Sequence, residues 1–136
     1  MIAPGTSEAI AAARGLVWPG GPLYRDAHYL MAEVELDADR AAPWVPFPLR
    51  LDRPARATLF TAHFPWTAFG SVYCEAGLLL HVRLGPVRGV FCPWMIVDDD
   101  TALIAGRELL GYPKKLGEVA FERSGDSIVS EASRMK

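Results

Sequence analysis

The stretch that decides the reading is Gly106-Arg107-Glu108-Leu109-Leu110-Gly111-Tyr112-Pro113-Lys114-Lys115-Leu116-Gly117. Gly111 stands where the residue just past a helix belongs, because glycine enters the left-handed region without a Cβ penalty. Pro113 fixes its own φ near about −65° and forbids any return to helix. Two lysines follow, flanked by Leu110, Tyr112 and Leu116. A solvated loop has little reason to hold lysines on so short and stiff a tether.

Upstream, Asp98-Asp99-Asp100 offers an N-cap and first-turn carboxylates to a helix over Thr101–Leu110. Capping explains these aspartates better than a metal does, since no histidine cluster accompanies them. Downstream, Glu118–Arg123 and Ser127–Ala132 read as strands, and Ser124-Gly125-Asp126 makes them a hairpin. Earlier strands are expected over Tyr29–Leu36, Ala57–His63, Ser71–Arg83, Arg88–Pro93 and Met95–Val97, with a turn at Gly85-Pro86. Asp37 caps a short helix over Ala38–Ala42, which Pro43 stops. Pro46, Pro48 and Pro54 keep the next stretch extended or turning. Ser7 caps a helix through Ala13 that Gly15 ends, and Pro19-Gly20-Gly21-Pro22 is irregular. The sum is one domain over residues 1–136, mainly β and mostly antiparallel, with a few short α-helices.

A chain of 136 residues buries enough surface to hold a core without metal or disulfide staples. Its 14 basic and 16 acidic residues leave a net charge of −2, evenly spread. That excludes a basic nucleic-acid or anionic-membrane surface as the primary reading. Apolar runs are too short to span a bilayer. Cys74 and Cys92 form no Cys-x-x-Cys pair, and no basic segment leads the Ala9–Ala13 run, so reduced thiols and a cytoplasmic location are expected. The expected partner is a small molecule or another copy of the chain.

An ordinary lysine, with a pKa of about 10.4, is almost wholly protonated at neutral pH and is no nucleophile. Burial or a neighbouring cation can change that. After Pro113 the chain should be extended, so successive side chains point to opposite faces and Lys114 and Lys115 diverge. The expectation is therefore that burial activates Lys114, while Lys115 forms a pocket wall or an ion pair.

The twelve-residue stretch resembles the signature of the acetoacetate decarboxylase family. Tyr73-x-Glu75 is similar to the family's glutamate strand, and Val97-Asp98 with Ala102, Ala105 and Gly106 is similar to the approach to the signature. Gly21-Pro22 and Val45-Pro46-x-Pro48-Leu49 resemble its N-terminal landmarks. The resemblance covers about residues 21–123. It implies a closed, antiparallel, barrel-like sheet around a funnel-shaped pocket. It implies Lys114 as the Schiff-base lysine, Lys115 as its companion and Glu75 as the site's acid. The family is itself a known example of a lysine activated in this way. The implied reaction is loss of carbon dioxide from a small β-keto acid, with no cofactor and no metal.

Two departures bear on that reaction. The arginine that decarboxylating members carry after the Gly-Pro landmark falls at Ala27 or His28. A second glutamate, some fifteen residues before the Glu75 position, falls at Leu59 or Phe60. Aldol condensation with dehydration, which divergent members perform with the same lysine, is the alternative; a non-catalytic ligand-binding remnant is the other. Members of the family are longer, so the chain reads as the N-terminal part of the family domain. Open strand edges then invite pairing between chains, and a homo-oligomer is expected.

Blander readings apply elsewhere. Taken without the resemblance, Glu75 could face solvent. Arg107 and Glu108 read as a structural pair. His28, His63 and His81 are scattered and structural, Cys92 is a small core residue, and Trp44, Trp66 and Trp94 line core or pocket.

Overall fold

The computed structural model describes residues 23–134. The expected Ser7–Ala13 helix and the Gly21-Pro22 landmark lie outside them. In chain order the elements are β1 (Tyr24–Arg25), β2 (His28–Glu35), α1 (Ala38–Ala41) with a 3-10 turn over Ala42–Trp44, β3 (Arg50–Leu51), β4 (Arg56–Phe64), β5 (Trp66–Thr67), β6 (Tyr73–Leu84), β7 (Val87–Val97), α2 (Asp100–Glu108), β8 (Lys114–Ser124) and β9 (Ser127–Arg134). The main sheet runs β2-β4-β6-β7-β8-β9, with β3 added against β6, while β1 pairs with β5 alone. It is mainly β and barrel-like, as expected.

Asp37 caps α1 by accepting from Asp39 N and Arg40 N at 3.0 and 3.2 Å. Asp99 caps α2 by accepting from Ala102 N at 2.7 Å. Gly111 has φ 71°, the left-handed value a helix stop needs.

Three readings need correction. The two strands expected over Arg88–Pro93 and Met95–Val97 are one strand, β7. Its pairing passes from Leu78↔Trp94 to Leu80↔Phe91, so Cys92 and Pro93 together oppose Leu79 alone. Such a bulge needs no ladder bond from proline, so the proline does not end the strand. The last hairpin begins at Lys114 rather than Glu118, because Lys114–Leu116 pairs with Met95–Val97. That pairing is parallel, an exception to the antiparallel rule. It is possible because α2 supplies the long crossover that a parallel neighbour requires.

The two faces of the sheet bury different things. Phe60, Ala62, Phe64, Tyr73, Met95 and Val97 cluster on one face with Ala102 of α2. Ala76 and Ile96 point the other way, where Val119 and Ala132 of the β8–β9 hairpin fold back over them. Adjacent residues Ile96 and Val97 are thus fully buried on opposite sides. This is why Met95-Ile96-Val97 is continuously apolar instead of alternating. Each such side chain contributes about 1.5–3 kcal/mol.

Gly117 lets the hairpin turn back. A Cβ there would stand 2.5 Å from both Ile96 Cγ2 and the backbone carbonyl of Ser133. The carbonyl cannot step aside as a side-chain tip could. Gly117→Ala is expected to destabilise the fold by about 1–3 kcal/mol in urea unfolding. Gly89→Ala, where a Cβ meets nothing within 4 Å, should stay within about 0.5 kcal/mol of wild type.

Candidate active site

Lys114 is the first residue of β8, and its backbone is fixed from both sides. Its N–H donates to Tyr112 O at 2.8 Å, and its carbonyl accepts from Arg107 Nη1 at 3.1 Å. Arg107 is therefore structural, as read, but its partner is the Lys114 backbone and not Glu108.

The lysine side chain runs inward and is only 6% exposed. Its stem lies on Gly106 of α2. A Cβ at Gly106 would meet Lys114 Cδ and Cε at 2.5 Å and Nζ at 3.1 Å. Lys114 Nζ then donates to Glu75 Oε2 at 2.8 Å. Glu75 comes from β6 and is 9% exposed, so it does not face solvent. Tyr73, two residues earlier on the same strand face, places its ring centroid 5.3 Å from Nζ. Burial penalises each charge, and the other charge offsets that penalty.

The pair opens into a cavity of about 290 Å³ walled mainly by rings and apolar chains, among them Tyr24, Tyr29, Phe60, Phe64, Met95 and Tyr112. Burial first, and then the Glu75 charge, pushes the Tyr29 and Tyr73 phenols above their ordinary value. Burial raises Tyr112 likewise, with Cys92 the next cause. These phenols stay neutral and can donate hydrogen bonds at any physiological pH. A larger groove of about 450 Å³ lies beside α1, but it holds no nucleophile and no lysine.

Lys115 points away and is exposed. It neither lines the cavity nor forms an ion pair among the described residues, contrary to the role expected of it. Of the apolar flanks, Leu110 and Tyr112 line the cavity, whereas Leu116 does not. Of the alternatives left open at the departures, Phe60 lines the cavity and Leu59 does not. Ala27 packs against the same cluster, while His28 stacks on His63 across β2 and β4 with centroids 6.3 Å apart. The histidines are therefore less scattered than their spacing implies. His81 bonds Thr58 at 2.9 Å. Trp44 is 62% exposed and outside the core, but with Trp94 it lines the groove beside α1, and Trp66 stacks with Arg25. Cys92 is half-buried against the core, as read. Among the described residues no cluster of His, Cys, Asp or Glu could hold a metal ion.

Sequence reasoning missed Gly106 as a contact, and also Tyr73 and Gly77. Gly77 leaves room for the Phe60 ring, whose Cε1 would stand 2.5 Å from an added Cβ. Gly106 did carry a signal: a glycine inside a helix costs about 1 kcal/mol relative to alanine and calls for a packing reason.

The site is thus a buried amine paired with a carboxylate in an aromatic cavity. The chain belongs to the acetoacetate decarboxylase family, whose model matches residues 8–136. It is 32% identical over 113 residues to acetoacetate decarboxylase 1 of Mesorhizobium japonicum, covering 82% of this chain and 45% of that protein. It therefore spans about half the length of the curated relatives it matches. A solved acetoacetate decarboxylase superposes with a TM-score of 0.76 at 30% identity, over 87% of this chain and 48% of the other. The enduracididine biosynthesis enzyme MppR shares the fold, with a TM-score of 0.60 at 20% identity, over 71% of this chain and 40% of its own. No helix among the described residues is long and apolar enough to cross a membrane.

Glu75→Ala should strand a buried ammonium and destabilise the chain by about 3–5 kcal/mol. The double variant Glu75→Ala with Lys114→Met should recover most of that loss. Urea unfolding of the two variants measures the difference.

Proposed function

We propose that Lys114 forms a Schiff base with the ketone of a small β-keto acid and that the chain's site performs carboxy-lyase chemistry. The observation that carries this is the 2.8 Å contact between Lys114 Nζ and Glu75 Oε2 inside the aromatic cavity. Glu75 takes a proton from the ammonium, and the freed amine pair attacks the carbonyl carbon. Water leaves, and a protonated imine forms. The electrons of the carbon–carboxylate bond then flow into the iminium, giving an enamine and carbon dioxide. A proton returned to the enamine carbon, followed by hydrolysis, releases the ketone and restores Lys114. The apolar wall favours loss of the carboxylate charge. Lys115 enters this reading only as the companion lysine that the family resemblance implies.

One observation favours a second reaction on the same imine. Phe60 lines the cavity on the strand where the family resemblance leads one to expect a carboxylate. Among the described lining residues Lys114 is also the only cation, so no second positive group receives a carboxylate. Aldol condensation with dehydration of a 2-oxo acid needs no carbon dioxide to leave and accommodates a more apolar partner.

Borohydride reduction with acetoacetate should add one substrate-derived mass to the Lys114 peptide, and Lys114→Ala should show none. Labelled carbon dioxide release separates decarboxylation from condensation. Gly106→Ala displaces the lysine stem and should slow trapping about 100-fold without loss of fold. An unmodified Lys114 peptide in the folded wild type would remove the catalytic reading.

A homo-oligomer and a cytoplasmic location go with this proposal. The two free thiols support a reducing compartment. Exposed Leu30, Leu59 and Val129 on the strands support association. Sedimentation velocity should show species heavier than one chain, and a lone monomer at micromolar concentration would count against assembly.

A further inference from the structure

We propose that the end of the sheet built by β3, β4, β6 and β7 carries a second site, which binds the phosphate groups of a small phosphorylated molecule. In sequence Arg50, Arg53 and Arg56 lie well apart from Arg83 and Arg88. The fold gathers these five together.

Arg50 of β3 lies directly opposite Arg83 of β6, and Arg83 lies directly opposite Arg88 of β7. Three guanidinium groups thus stand in a row across three adjacent strands. Like charges directly opposite one another destabilise a sheet. Compensation within the chain is incomplete. Asp52 Oδ2 meets Arg88 Nε at 3.2 Å, while its Oδ1 accepts from the Arg53 backbone at 2.9 Å. Glu35 stands opposite Arg56 in the register, but the two form no ion pair within 4.0 Å. Four of the five guanidinium groups therefore have no carboxylate partner among the described residues.

Three of the five, Arg53, Arg56 and Arg88, line a concavity. A polar cavity of about 310 Å³ is lined by Asp52, Arg53, Arg56, His81, Arg88 and Gly89, with Pro54. A Cβ at Gly89 would meet nothing within 4 Å, so the mouth is open. Thr58 Oγ1 holds His81 Nε2 at 2.9 Å and fixes its ring at the cavity wall. Guanidinium forks match phosphate oxygens two at a time, which an ammonium cannot do. Single exposed ion pairs are weak, so a multiply charged anion that reaches several forks together is favoured over a monovalent one. The concavity is local and has no Phe, Tyr or Trp in its lining, which favours a small phosphate compound over a nucleic-acid strand.

The site is separate from the Lys114 cavity. The two share no lining residue. Glu75 and His81 lie six residues apart on β6, a rise of about 20 Å. The proposal therefore stands whatever reaction Lys114 performs.

The test is calorimetric titration of the full chain with inorganic pyrophosphate at low ionic strength. Saturable binding at one site is expected, at least tenfold tighter than for orthophosphate. Arg53→Gln with Arg56→Gln should weaken it tenfold or more, Arg53→Gln alone should weaken it less, and Arg123→Gln on the distal hairpin should leave it unchanged. All three positions are exposed, so the variants keep the fold. Pyrophosphate should raise the thermal midpoint of wild type and not of the double variant. Absence of both heat and stabilisation at millimolar pyrophosphate would overturn the proposal. So would equal weakening by Arg123→Gln, or an oligonucleotide that binds more tightly than pyrophosphate does.

Discussion

Lys114 and Glu75 meet across a strand that separates them, and the rest of the structure serves that meeting. β7 lies between β6, which carries the glutamate, and β8, which carries the lysine. Two strand spacings amount to roughly 10 Å. Only two long side chains reaching over Met95 can close such a gap to 2.8 Å. The stem of Lys114 must also pass α2, and it passes at Gly106 because no side chain is there. A buried ion pair persists only when its geometry is good and its charges are paired. That condition explains why the start of β8 is tied at Tyr112 and Arg107 before the lysine turns inward.

The cavity beyond the pair is walled by rings and apolar chains and is without formal charge. Burial and the Glu75 carboxylate keep the Tyr29 and Tyr73 phenols protonated, so they act as ring surface and hydrogen-bond donors. Phe60 occupies space that Gly77 leaves to it. On the other side of the sheet the environment differs. There burial, and then Asp98, pushes the Cys74 thiol up to about 11. Cys74 and Glu75 are neighbours in sequence yet face unrelated surroundings, because a strand sends successive residues to opposite sides.

Much of the fold was legible where local rules act alone. Asp37 and Asp99 cap helices because a short carboxylate beside a free N–H stabilises a helix start in any context. Gly111 stops α2 for an equally local reason. The merged strand β7 was not legible, since Pro93 normally ends a strand and is tolerated only where a bulge in the pairing with β6 removes the need for its N–H. Whether Trp44 joins the core or lines a groove was not legible either, because nothing local tells a tryptophan whether the sheet covers it.

The sequence by itself determined that Lys114 sits in stiff, extended chain just past Pro113, that Lys115 diverges from it, and that the chain is mainly β. These follow from proline, glycine and the twofold period of a strand. Only the tertiary structure decided that Glu75 receives the Lys114 ammonium, that Gly106 supports the lysine stem, that Phe60 rather than Leu59 lines the cavity, and that two separate groups of arginines share one sheet end. Each depends on strand register, and register is set by long-range pairing that no short window of residues contains.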